Sequence, residues 1–91
     1  MKGIKCIADT ASIRAIGVEQ VRASLRRMVD MYGDRLLGEK SKWMEMERTP
    51  IVNNQYLEVL AGTQRELYGG CPVVSVRVSD SGSEEIEIND I

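Results

Sequence analysis

The chain has 91 residues, a formal net charge of −2 and an apolar fraction of 43%. Those values fit one small α+β-sized globular domain, residues 1–91, and argue against disorder throughout. The chain has no histidine and only two cysteines, Cys6 and Cys71. This excludes histidine acid–base chemistry, the Ser-His-Asp triad, histidine metal sites and a four-thiolate zinc site within one chain.

Residues 3–8 predict a short strand, with Ile4, Cys6 and Ala8 on one face and Lys5 opposite. Residues 9–16 follow as a connector, with Asp9, Thr10 and Ser12 as turn formers. The strongest periodic signal is at 18–32. Val18, Val21, Leu25, Met28 and Tyr32 step by three and four and form one helical stripe. Leu36, Trp43 and Met46 continue the stripe. Either one helix runs to about Glu47, or Gly33-Asp34 or Gly38 breaks it in two. Thr49-Pro50 ends the segment, because a residue before proline is pushed out of the helical region.

Asn53 or Asn54 then caps a second predicted helix. Its stripe is Tyr56 or Leu57, Leu60, Gln64 and Leu67, and Gly69-Gly70 stops it. At the C-terminus Val74, Val76 and Val78 alternate with polar residues. Asp80-Ser81-Gly82-Ser83 is turn chemistry, and Ile86 and Ile88 alternate with Glu85 and Glu87. This pattern predicts a β-hairpin with one apolar face. The expected fold is therefore α+β in two layers. A small, mainly antiparallel three-stranded sheet, the N-terminal strand plus the C-terminal hairpin, carries two or three helices on one face.

Charge and composition bear on function. Residues 1–48 hold ten Lys/Arg and seven Asp/Glu, a net of +3, whereas residues 49–91 hold two and seven, a net of −5. Such a gradient suits internal pairing or contact between subunits. Phenylalanine is absent and methionine occurs five times. Methionine fills irregular gaps in a core and recurs on promiscuous binding surfaces. The N-terminal apolar stretch is too short for a signal peptide, and no run approaches the roughly 20 residues of a membrane helix. A cytoplasmic location with free thiols is expected, with a Cys6–Cys71 disulfide as the alternative.

The candidate sites are few. Trp43, Met44 and Met46 place an aromatic and two flexible apolar side chains within one turn of the predicted helix, suited to a partner surface or to the core. Glu85 and Glu87 form a solvated strand face that opposes edge pairing and is available to a basic partner. Arg22, Arg26 and Arg27 on helix 18–32 are candidate phosphate ligands, set against interspersed acids and an acidic pI. Cys71 follows a helix end of the wrong dipole sign for a nucleophile. The oxygens of 80–85 read as a turn rather than a calcium loop. No phosphate loop, catalytic pair, metal site or cofactor motif stands out.

The order of short strand, basic helix, second helix and C-terminal hairpin resembles small tail-component or neck proteins of tailed phages. The likeness covers layout and size and carries over no functional residue. The expected function is a non-enzymatic interaction or assembly module, acting as a homo-oligomer or as a subunit of a larger complex. Its partner would be itself or another protein, with neither cofactor nor membrane. The alternative is a small nucleic-acid-binding regulator that uses the arginines of helix 18–32.

Overall fold

The computed structural model describes residues 3–38, 43–63 and 71–91. In chain order the elements are β1 (Lys5–Asp9), α1 (Thr10–Ile16), α2 (Val18–Gly38), β2 (Met44–Pro50), β3 (Tyr56–Thr63), β4 (Pro72–Val78) and β5 (Glu85–Glu87). The strands form one sheet in the order β2-β3-β4-β1-β5. β1 and β4 run parallel, and every other neighbouring pair is antiparallel. The expected three-stranded, mainly antiparallel sheet is thus corrected to a five-stranded mixed sheet with two helices.

α2 forms where the stripe lies. Val21, Leu25 and Met28 are fully buried, with Val29 and Leu36 beside them. They pack on Leu57, Val59 and Ala61 of β3, Val74, Val76 and Val78 of β4, and Cys6 and Ala8 of β1. Fully burying a leucine such as Leu25 contributes roughly 1.5–3 kcal/mol. Gly33 does not break the helix, and a β-carbon there would meet Val29 and Ile4 at ordinary contact distance. The helix ends at Gly38, and no described helix is long and apolar enough to cross a membrane.

Four further expectations are corrected. The connector 9–16 contains α1, because Asp9 accepts from the Ser12 amide as a helix N-cap and Gly17, at φ 85°, closes the other end. The helical segment expected to reach about Glu47, whole or broken in two, instead ends at Gly38, and strand β2 begins at Met44. Met44 and Met46 alternate with Glu45 and Glu47, so period two wins over the single i, i+3 match of Trp43 with Met46. The second helix is replaced over 56–63 by β3, and its remainder at 64–70 lies outside the described residues. Asn53 and Asn54 do not cap a helix. Both have positive φ, near 60°, and they are the central pair of the turn that joins β2 to β3. Asparagine tolerates that geometry, and it matches the twist of a hairpin.

The C-terminal hairpin is the fourth. β4 and β5 do not pair, because β1 lies between them and bonds to both. The 79–84 segment passes over the end of β1, where the Thr10 amide donates to the Glu84 carbonyl. With β3 in place of the first part of the second helix, and β4 and β5 unpaired, the layout that resembled phage tail components does not hold among the described residues.

Candidate interaction surface

Both helices cover one face of the sheet. Alternation along the strands turns Met44, Met46 and Arg48 of β2 to the other face, with Tyr56, Glu58 and Leu60 of β3 and Ser75 and Arg77 of β4. No described helix covers that face. β2 also forms one edge of the sheet. Met44 is 43% exposed and Met46 42%, so two apolar side chains stand beside an open edge.

The edge has a definite polarity. The Thr63 amide donates to the Trp43 carbonyl, and the Ile51 amide donates to the Gln55 carbonyl. In an antiparallel ladder this phase turns the odd-numbered backbone of β2 toward β3. The N–H and C=O groups of Met44, Met46 and Arg48 then point away from the sheet. Unpaired strand edges of this kind are templates for a further strand.

Helix α2 fixes β2 from the covered side. The Arg27 guanidinium pairs with the Glu47 carboxylate. The Arg35 guanidinium lies 4.2 Å over the Trp43 ring, and Tyr32 meets Trp43 at a centroid distance of 5.6 Å. Trp43 is partly buried against the core cluster. Thus Trp43 anchors the start of β2, while Met44 and Met46 face outward on the other side. The sequence had grouped the three, and the fold separates them.

On the open face, three strands share a row of charge. Glu58 is buried, takes Arg77 Nε at 3.0 Å on one oxygen and has Arg48 Nε at 3.3 Å from the other. Arg48 also lies 4.3 Å over the Tyr56 ring. Sequence reading missed this row, since Arg48 and Glu58 had been assigned to helices. Strand alternation in both segments was the signal available.

Glu85 and Glu87 lie on β5, at the edge opposite β2. Lys5 Nζ is 4.0 Å from a Glu87 oxygen. The candidate partner residues 43–46 and 85–87 therefore do not form one surface. The arginines of α2 are also divided. Arg22 pairs with Glu19 at 2.9 Å, Arg26 is exposed, and Arg27 is held by Glu47. Arg22 and Arg26 share a helical line with Glu19 and Asp30, so the line alternates in sign.

A second polar cluster surrounds Asp9, which is buried. One carboxylate oxygen accepts from the Ser12 amide at 2.8 Å. The other accepts from the Val78 amide at 3.1 Å and the Ser81 hydroxyl at 2.9 Å. Burial pushes the Asp9 carboxyl up, but these donors outweigh it and hold it below the usual carboxylate range. Ser83 hydrogen-bonds with Ser81 and accepts from the Ala11 amide. A cleft of about 280 Å³ opens beside Asp9, Asp80 and Ser83. The Asp9 and Ser81 groups are spent on one another, and they fasten three chain segments together.

Cys6 and Cys71 are both free. Burial pushes the Cys6 thiol up, and Glu87 adds to that effect. Among the described residues no group of three or more acids or cysteines is placed to hold a metal ion. Comparison with protein-family models, curated proteins and solved structures finds no match.

Proposed function

We propose that this chain is a protein–protein interaction module whose contact surface is the β2 edge with the adjoining face that no described helix covers. One observation carries the reading. A seven-residue edge strand presents exposed Met44 and Met46 beside outward-facing backbone groups, and α2 contacts it through Arg27 and Trp43. Addition of a strand to such an edge takes its affinity from main-chain hydrogen bonds and its selectivity from alternate side chains. Methionine suits the selective part, because its side chain adapts to the surface opposite. A binding role also fits a chain without histidine, whose buried acid Asp9 is occupied by the fold's own donors.

Nucleic acid on Arg22, Arg26 and Arg27 is the less favoured alternative, since two of the three are already engaged by carboxylates. A photoreactive residue at position 46, in cells that make the protein, tests the reading. Adducts with protein, either this chain or another, are expected at 46 and not at exposed Arg26. Equal or absent adducts at both positions overturn it. Tight, salt-dependent binding to nonspecific DNA, lost when Arg22, Arg26 and Arg27 are replaced, would favour the alternative.

A further inference from the structure

The β2 edge is complementary to itself. We infer that it pairs with the β2 edge of a second copy, antiparallel across a two-fold axis at Met46, so that the two sheets become continuous. The inference rests on the reading of β2 as a contact surface and supplies its partner.

Three observations fix the arrangement. The first is backbone register. In a two-fold pairing, residue i meets j and j meets i. Only Met44, Met46 and Arg48 present outward N–H and C=O groups, by the phase of the β2–β3 ladder. Centring on Met46 sets Met44 against Arg48 of the second copy and uses all three residues in hydrogen-bonded pairs. Centring on Glu47 sets Met44 against Pro50, which has no N–H. Centring on Glu45 moves Arg48 past the start of the strand.

The second is charge. On the Met46 register, Glu45 of each copy faces Glu47 of the other on the helix side, two like-charge pairs that need a cation between them. Glu47 already carries Arg27, whose side chain is about half exposed. A guanidinium has five N–H donors in a planar fork, so Arg27 can hold both carboxylates. Glu45 makes no ion pair among the described residues, and the second copy would provide one.

The third is the helix flank. Arg27 meets Glu47 and Arg35 meets Trp43, so α2 runs alongside β2 in the opposite sense. Met31 lies midway between them on the same helical line, at the level of Glu45 and Met46. It is 56% exposed. A two-fold axis at Met46 brings the two Met46 side chains together on the open side and leaves both Met31 side chains on the helix side. Met46 then lies on the open face of the new ladder, and Glu45 and Glu47 with Arg27 lie on its helix face. The far edge closes the assembly. β5 has three residues, and its outward-facing positions are Glu85 and Glu87, which repel a second β5.

The test uses the full chain and sedimentation, with Cys71→Ser as background for cross-linking. Wild type is expected at twice the monomer mass at tens of micromolar, a range in which a micromolar dimer is assembled. Met46→Lys, at an exposed position, is expected to keep the circular dichroism of wild type and raise the dimer dissociation constant at least about tenfold. In hydrogen-bonded antiparallel pairs the α-carbons lie about 5.5 Å apart, within disulfide reach. Met46→Cys is therefore expected to form a covalent dimer on mild oxidation, and Glu85→Cys is not. A monomer up to about 100 µM overturns the self-pairing, and the photoreactive probe at 46 then decides whether another protein uses the edge. A dimer that ignores Met46→Lys, or that does not cross-link at 46, also overturns it while leaving self-association by another surface in place.

Discussion

Asp9→Ala tests whether one carboxylate holds β1, α1, β4 and the 79–84 segment together. The substitution removes the N-cap of α1, worth about 0.5–2 kcal/mol. It also leaves the Val78 amide, at the buried end of β4, without its acceptor, at a cost of about 1–3 kcal/mol. The two losses share a site and are not independent, so a combined loss of about 2–4 kcal/mol is expected. A small domain has total stability on the order of 5–15 kcal/mol, which makes this a large fraction. In urea, a slope of about 1–3 kcal/mol/M converts it to a midpoint lower by about 1–2 M. Asp9→Asn keeps one carbonyl acceptor and is expected to lose about half as much.

The pH dependence separates the charge from the contacts. The folded Asp9 carboxyl lies below its ordinary value. Its charge therefore stabilises the fold fully above the unfolded aspartate pKa of about 3.9. That contribution is lost as pH falls through the lower folded pKa. The advantage of wild type over Asp9→Asn should be constant near neutral pH and shrink in acid. A midpoint for Asp9→Ala within about 0.3 M of wild type, or an advantage over Asp9→Asn unchanged down to pH 2, would refute the reasoning.

Leu25→Ala, at a fully buried position on the α2 stripe, is expected to lose about 2–5 kcal/mol in the same denaturation assay. Two glycines should respond with opposite sign. A β-carbon at Gly62 would lie 2.7 Å from the Trp43 carbonyl oxygen, so Gly62→Ala should push β2 away from β3 and lower the melting temperature. At Gly33 the nearest side-chain atoms are at 3.7 and 3.8 Å, so Gly33→Ala fits and should stabilise α2 by about 0.5–1 kcal/mol. Glu58→Ala leaves Arg48 and Arg77 facing each other. Both arginines are about half exposed, so solvent screening limits the loss to roughly 1–2 kcal/mol, measured by thermal unfolding against Glu58→Gln.

What the sequence showed clearly was local. The α2 stripe from Val21 to Leu36 could be read because a long period-3.6 pattern has few competing interpretations. Alternation in β1 and β4 was equally plain. β3 was not, because Leu57, Val59, Leu60 and Ala61 make a short apolar run that fits one helix face as well as a strand. Gly62 argued for the strand, and its close approach to Trp43 shows why. Asn53-Asn54 carried a hairpin signal that was spent on a helix cap. The misplaced hairpin has a different cause. Nothing in the residues of β4 and β5 records that β1, some seventy positions earlier, comes between them, since pairing partners at that separation leave no local pattern. Met44 and Met46 were singled out with Trp43 for a partner surface or for the core, and their place on an edge strand depended on recognising β2.

The two edges of the sheet are protected unequally, and the inequality bears on function. β5 is short, and its outward positions are glutamates, which discourages any further strand. β2 is more than twice as long, and its proline stands at the last position, where it cannot interrupt pairing at Met44, Met46 or Arg48. An edge that was merely tolerated would gain from disorder, because fixing each residue costs about 1–2 kcal/mol of conformational entropy. Instead β2 is held by the Arg27–Glu47 pair, by the Tyr32–Trp43–Arg35 stack and by seven residues of ladder with β3. A strand ordered in advance loses little freedom when another strand joins it, so more of each new hydrogen bond and methionine contact appears as affinity. Among the described residues the fold therefore closes one edge and leaves the other unpaired, with Met44 and Met46 exposed along it, which is the condition strand addition requires.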